Sequence, residues 1–275
     1  MANKKSLSGW LIASDIDGTL NNKLRRLPKR NETAINRFVE LGGRFTLASG
    51  RNPQSMEKHF KRLPIDGTPA VVINGAGLYD FNKNEMIYFS AMSDEGMMLA
   101  VEASKKFPAV DVVVVAKDIT YITGSGWFGK WFVLSGNLKH KHIRNIEDVP
   151  KKDWGKVIFS GLPFHISKVK RHFESMTDPD LTLMSSSVAS FEILARDTHK
   201  GTAVMKLAEI LGVEKSHVGA IGDYFNDFEM LKTVAVPACC GQAPKELKEI
   251  SQFVSCHCNK GAVADFLEYI ESKEK

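Results

Sequence analysis

Two aspartates separated by one residue follow the apolar run Trp10-Leu11-Ile12-Ala13 and run into a glycine, as Asp15-Ile16-Asp17-Gly18-Thr19-Leu20. In an extended segment residues two apart point to the same side, so both carboxylates face one space while Ile16 faces the packed side. Like charges that close repel. The pair is tolerable when a cation lies between them, or when one carboxyl keeps its proton through a raised pKa. Either condition suits catalysis. Gly18 lets the backbone turn sharply, and the Thr19 hydroxyl can tie that turn by hydrogen bonds. Taken alone, the same six residues also suit an Asx-type turn after a buried strand.

Other apolar runs end on polar residues in the same way. Arg44 to Ala48 stops at Ser49-Gly50-Arg51, and Ala70-Val71-Val72-Ile73 stops at Asn74-Gly75. Val218-Gly219-Ala220-Ile221 delivers Gly222-Asp223-Tyr224-Phe225-Asn226-Asp227, and Lys200 in Thr198-His199-Lys200-Gly201 precedes a helical pattern. Ser49 could simply cap the helix that Pro53 enters, and Asn226 and Asp227 could cap the next one. Asp223, directly after a buried strand, is harder to explain so.

The elements that must position these residues follow from the apolar spacing. Pro28 and Asn31 announce a helix with Ala34, Ile35, Phe38 and Val39 inward, ended by Gly42-Gly43; a second runs from Pro53 to about Arg62. Strand, helix, strand, helix, strand with short apolar runs is the pattern of a parallel sheet covered on both sides. In such sheets ligands bind at the carboxyl ends of the strands, where Asp15, Ser49 and Asn74 fall. After Phe191-Glu192-Ile193-Leu194 the same pattern resumes. A helix with Ala203, Val204, Leu207, Ala208 and Leu211 inward ends at Gly212, Thr233 to Val236 reads as a strand, and Pro244 to Ile250 and Gly261 to Ile270 read as helices.

Between these halves the pattern changes. Leu78 to Phe81 with Glu85 to Phe89, and Asp111 to Ala116 with Ile119 to Thr123, read as hairpins. Ser93 caps a helix that runs to Phe107; a strand at Lys156 to Phe159, a helix from about Ile166 to Met176 and a strand at Leu181 to Ser185 follow. The expectation is an α/β fold with a Rossmann-like parallel-sheet core over 1–87 and 191–275, and an α+β module inserted over 88–190. Trp127, Phe128, Trp131 and Phe132 recur at helical spacing, either as the buried face of the insert or as an apolar wall over a substrate.

Composition narrows the partners. The 275 residues are 43% hydrophobic, enough for two moderate cores. With 37 basic against 32 acidic residues the net charge is +5, and no long basic block is present, so no nucleic-acid track is expected. The groups Lys23 to Arg30 and Lys139 to Arg144 read as solvated faces, and the mild positive field favours small anionic substrates. No apolar run approaches the ~20 residues that span a bilayer, so no membrane partner is expected. The apolar stretch after Lys4 and Lys5 is short and ends in Asp15, unlike a signal peptide, and a cytoplasmic protein is expected. Cys239, Cys240, Cys256 and Cys258 suit neither a disulfide framework nor a zinc knuckle; with His257 they could form a soft-metal site or be reduced core thiols.

In order and separation, Asp15 with Asp17, Ser49, Lys200, and Asp223 with Asn226 and Asp227 resemble the four motifs of the haloacid dehalogenase-like (HAD) superfamily of phosphatases, over nearly the whole chain. Lys200-Gly201, the stretch Gly222 to Leu231, the turn Asn74-Gly75-Ala76 and the position of the insert are similar to the Cof-type branch with its large type-two cap. Phosphate monoesters resist anionic nucleophiles, so a carboxylate attacker needs a cation and donors on the phosphoryl oxygens. Mg²⁺ prefers oxygen ligands, and Asp15 and Asp223 can supply two carboxylates.

The resemblance implies that Asp15 attacks phosphorus to form an aspartyl-phosphate. It also implies that Asp17 lends its main-chain carbonyl to Mg²⁺ and uses its carboxyl first as acid and then as base. Ser49, Gly50, Lys200 and Asn226 would bind the phosphoryl group, with Asp227 supporting. His199 and Arg51 are not required by the pattern. The departures are Ser14, where a bulkier apolar residue is common, and Gly241-Gln242-Ala243 in place of the usual Gly-Asn-Ala. The expected protein is a Mg²⁺-dependent phosphatase acting on a small phosphorylated metabolite, sugar phosphates first, then nucleotides or phosphorylated cofactors. Its cap would close over the site, with selectivity in Phe107 to Trp131, and it would be a monomer or weak homo-oligomer. A phosphotransferase or mutase, and a catalytically idle protein that binds phosphorylated ligands, are the other readings.

Overall fold

The structure, a computed structural model, describes residues 7–65, 67–123 and 139–274. The chain opens with β1 (Leu11–Ser14), α1 (Lys29–Glu40), β2 (Arg44–Leu47), α2 (Pro53–Phe60), β3 (Ala70–Val72), β4 (Gly77–Asp80) and β5 (Glu85–Phe89). It continues through α3 (Asp94–Lys106), β6 (Asp111–Ala116), β7 (Thr120–Thr123), β8 (His140–Ile143), β9 (Trp154–Ser160), α4 (Pro163–Glu174), β10 (Leu181–Ser187) and β11 (Ser190–Ala195). It closes with α5 (Lys200–Leu211), β12 (Val218–Gly222), α6 (Phe228–Thr233), β13 (Val236–Cys239), α7 (Lys245–Ile250), β14 (Phe253–Val254) and α8 (Ala262–Lys273). Two compact units result. One holds the described residues up to Gly50, Glu57–Glu85 and those from His199 onward; the other holds Arg51–Met56 and Met86–Thr198.

The first unit is built on a parallel sheet in the order β14-β13-β12-β1-β2. All four residues of β1 are buried, as an interior strand of a sheet covered on both faces requires. Ser14 pairs with Ile221 on one side and Leu47 on the other, so β1, β2 and β12 end at the same edge. Asp15, Ser49 and Asp223 leave from that edge. Beyond β2, a parallel bridge joins Ala48 to Val71, and β3 then pairs antiparallel with β4. The strand expected at Thr233 to Val236 starts later, at Val236. Thr233 closes α6 instead, its hydroxyl donating to the Glu229 carbonyl at 2.6 Å, while Met230 and Leu231 anchor that helix in the core.

The second unit carries a six-stranded sheet in the order β10-β11-β9-β6-β7-β8, antiparallel except for β7 with β8. Val112, Val114, Val157, Phe159, Phe191 and Ile193 form one apolar core with Ala100 of α3 and Val169 and Phe173 of α4. Phe191-Glu192-Ile193-Leu194, expected to reopen the parallel-sheet unit at 191, lies inside this sheet between β10 and β9, and the unit runs on to Thr198. A four-residue segment does not specify its partner. Glu192 is buried here because it pairs with Lys156 at 3.0 Å on the face opposite Phe191. Trp127, Phe128, Trp131 and Phe132 lie outside the described residues. Among the described residues, no helix is long and apolar enough to cross a membrane.

Candidate active site

Where β1 ends, the chain folds into a tight turn. The Ser14 hydroxyl donates to the Asp15 carbonyl at 2.7 Å, the Leu20 N–H to the same carbonyl at 3.2 Å, and the Asn21 N–H to the Ile16 carbonyl at 2.8 Å. Gly18 sits at φ +85°, and a Cβ there would lie 2.3 Å from Oδ2 of Asp223, so the turn presses against that carboxylate only because the residue is glycine. The Thr19 hydroxyl, expected to tie the turn locally, donates to Oδ1 of Asp223 at 3.3 Å. Asp15 is buried and the Asp17 side chain is exposed.

Lys200 arrives on the first turn of α5. That turn is fixed by a reciprocal cap: the Thr202 N–H donates to Nδ1 of His199 at 3.3 Å, and the His199 N–H to the Thr202 hydroxyl at 3.2 Å. His199 therefore has a structural task. Behind it lies the turn Ile73-Asn74-Gly75, with all three residues at positive φ (+54°, +56° and +101°). A β-branched residue held there is strained, as is common beside functional sites. A Cβ on Gly75 would sit 2.2 Å from the His199 carbonyl oxygen, which shows how closely the two backbones meet.

The ammonium of Lys200 is fully buried and donates to Oδ1 of Asp15 and to Oδ1 of Asp227, each at 2.6 Å. The other oxygen of Asp227 accepts from the N–H of Asp223 at 2.9 Å and of Tyr224 at 3.3 Å. Asp227 thus holds both the lysine and the backbone that carries Asp223. Ligand atoms of Asp15, Asp223 and Asp227 all lie within 4.8 Å of one another.

Charge in this cluster is unbalanced, with three carboxylates facing one ammonium. Burial pushes the Asp15 carboxyl up to about 8; Lys200 pulls it down, and Asp227 and Asp223 push it up again. Burial, followed by Asp227, raises Asp223 to about 6. Burial works against the charge of Lys200, but Asp15 and Asp227 outweigh it and hold its pKa above the ordinary lysine value. A hard divalent cation fits this donor set: it prefers carboxylate oxygen and would relieve the desolvated negative charge that lifts both aspartates.

Other sequence-expected residues take their places around the cluster. Ser49 is buried, and its carbonyl accepts from the Asn74 N–H at 3.0 Å. A Cβ on Gly50 would meet Oδ1 of Asn74 at 2.6 Å, so only glycine admits that carboxamide. Asn226 sits half-buried in the single turn Phe225–Asp227. The Asp17 side chain is not part of the carboxylate trio. Sequence reasoning missed the reach of Thr19 to Asp223 and a contact from Gln242, whose amide donates to the Gly18 carbonyl at 2.6 Å. The only signal for the latter was the departure at Gly241-Gln242-Ala243. All four cysteines are free thiols, and among the described residues they and His257 do not assemble into a metal-ligating group.

A model of the haloacid dehalogenase-like hydrolases matches residues 12–267. The chain belongs to this family. Curated relatives of this haloacid dehalogenase-like hydrolase match it over nearly its whole length. It is 27% identical over 285 residues to the 5-amino-6-(5-phospho-D-ribitylamino)uracil phosphatase YwtE of Bacillus subtilis, covering 95% of this chain and 98% of that one. It is 26% identical to an HMP-PP phosphatase of Serratia proteamaculans, covering 94% of each. Its fold superposes on a haloacid dehalogenase-like hydrolase from Bacteroides thetaiotaomicron with a TM-score of 0.82 at 20% identity, covering 95% of this chain and 99% of that one.

Proposed function

We propose that this haloacid dehalogenase-like phosphatase hydrolyses a small phosphorylated metabolite, a sugar or sugar-alcohol phosphate in particular, by way of an aspartyl-phosphate on Asp15. The observation that carries the reading is the convergence of Asp15, Asp223, Asp227 and Lys200 at one sheet edge. The relative that acts on a phosphoribityl compound supports the choice of leaving group. A net charge of +5 favours anionic substrates.

In this reading Lys200 holds Oδ1 of Asp15, which orients the carboxylate and leaves Oδ2 to attack phosphorus. The Ser49 hydroxyl, the Gly50 N–H and the Asn226 side chain bind phosphoryl oxygens, and Lys200 adds positive charge beside them. As the bond from Asp15 to phosphorus forms and the ester bond breaks, the Asp17 carboxyl gives its proton to the leaving oxygen. The Asp17 carboxylate then takes a proton from water. The resulting hydroxide attacks phosphorus, the bond to Asp15 breaks, and inorganic phosphate leaves. The exposed position of the Asp17 side chain suits a group that meets both alcohol and water. The carboxylates of Asp15 and Asp223 and the main-chain carbonyl of Asp17 would hold Mg²⁺, which would neutralise charge on the phosphoryl oxygens. Asp227, with both oxygens engaged, positions Lys200 and Asp223. The free thiols fit a reducing compartment, and we place the enzyme in the cytoplasm.

A phosphate-release screen over sugar phosphates, nucleotides and phosphorylated cofactors tests this, with and without Mg²⁺ and with Asp15→Asn as the blank. Release by the parent alone, and only with the metal, is the expected result. Equal release by Asp15→Asn removes the nucleophile, and a phosphorylated second product identifies a transferase.

A further inference from the structure

Gln242 is a departure from the family pattern that reaches the catalytic turn from a distant part of the chain, and the chemistry above gives it no task. It lies in the loop between β13 and α7, half-buried. Its Nε2 donates to the Gly18 carbonyl at 2.6 Å, and its Oε1 accepts from the Cys258 N–H at 3.0 Å. Both ends of the amide are thus engaged, and the two partners fix which end is which. The side chain ties the segment before α8 to the turn that carries Asp17, 224 residues away from Gln242 in the chain. From the same turn, the Thr19 hydroxyl donates to the Asp223 carboxyl.

The turn needs such a tether. Gly18 is the residue with the widest conformational freedom, held at φ +85° with its α-carbon against Asp223. Its carbonyl belongs to the peptide immediately after the one that carries the Asp17 carbonyl. Displacement of the Gly18 α-carbon, which joins these two peptides, would turn the Asp17 carbonyl and move the atoms that lie against Asp223.

We propose that Gln242 is a positioning residue for the metal site: it clamps the Gly18 peptide, against which Asp223 lies, so that the oxygen ligands face one point before the cation arrives. This rests on the metal-assisted reading above. A group that orients metal ligands without touching the metal typically governs affinity by roughly 10–100-fold. The expected signature is weaker Mg²⁺ binding with unchanged recognition of the phosphate ester once the metal is saturating.

The test is calorimetric titration of the full chain with MgCl₂ alone, with no substrate present, for the parent, Gln242→Met and Gln242→Ala. The Met variant keeps length and volume but has no amide. Expected are one site in each protein, Mg²⁺ binding weakened roughly tenfold or more in both variants, metal-free melting temperatures close to the parent's, and an unchanged KM for p-nitrophenyl phosphate at saturating Mg²⁺. A merely structural role would lower the melting temperature and leave the Mg²⁺ affinity of the folded protein unmoved. Should either variant fail to fold, Gln242→Asn keeps the amide but is one methylene too short to span both partners, and weakened binding is expected there as well. Folded variants that bind Mg²⁺ within about twofold of the parent would overturn the assignment. A parent that binds no Mg²⁺ would overturn the metal reading itself, a separate outcome.

Discussion

The Nζ of Lys200 lies 2.6 Å from Oδ1 of Asp15, across 185 residues of chain, with the ammonium wholly out of solvent. The same nitrogen meets Asp227 at the same distance. Removal of one partner from such a buried network leaves uncompensated charge and is costly. Lys200→Met is expected to destabilise the metal-free protein by about 3 kcal/mol and to lower kcat/KM by two orders of magnitude or more, ~10². Urea unfolding and steady-state kinetics measure both. A stability change below about 1 kcal/mol would mean that the pair is not desolvated as described.

The raised carboxyl of Asp15 sets a direction for stability against pH. Its folded pKa of about 8 lies above the ordinary carboxylate value of 3.8, so the folded state binds the proton more tightly than the unfolded chain. The stabilisation is complete below the unfolded value and is lost as pH rises through about 8. Asp223, at about 6, adds to the loss at the lower end. Thermal melts in chelator are expected to fall steadily from about pH 6.5, the ordinary histidine pKa, to about 8. Saturating Mg²⁺ is expected to raise the melting temperature more at the upper end, because the cation competes with protons for the same oxygens. A melting temperature that climbs with pH in chelator would contradict the assignment.

Gly75 couples the strained turn to the start of α5. Gly75→Ala meets a positive φ of +101° and a carbonyl oxygen 2.2 Å from its Cβ, and both effects act on the segment that presents Lys200. The expected cost is about 3 kcal/mol, the sum of backbone strain and overpacking, together with a clear fall in kcat. Gly67→Ala, where no atom lies within 4 Å of the added Cβ, is the control expected to change neither. Equal behaviour of the two variants would show that the close approach of the turn to His199 is not needed.

Much of the first unit was legible in the sequence because a parallel strand buried on both faces leaves an uninterrupted apolar run. Val218 to Ile221 and Leu11 to Ala13 are such runs, and the polar residues that follow them mark the ligand edge. Phe191 to Leu194 was misread because a segment this short fits either sheet. Its alternation hides a buried Glu192 that is tolerable only because Lys156 faces it from the neighbouring strand, and no local pattern announces a partner 36 residues away. The carboxylates of the site were visible as types and spacings. Which of them meet was not, since the links from Lys200 to Asp227, Thr19 to Asp223 and Gln242 to Gly18 exist only once the sheet order brings distant strand ends together.

The central claim is that Asp15 receives the phosphoryl group, and a covalent trap reads it directly. In Asp17→Asn the first transfer is expected to proceed still with an activated ester, but the group proposed to take a proton from water is gone, so kcat is expected to fall by roughly 10²–10⁴. Acid-quenched samples of this variant with Mg²⁺ and p-nitrophenyl phosphate, digested and analysed by mass spectrometry, are expected to carry one phosphoryl group on the peptide containing Asp15. A phosphoryl group found on another residue, or no adduct at any time while the parent turns over under the same conditions, would contradict the account.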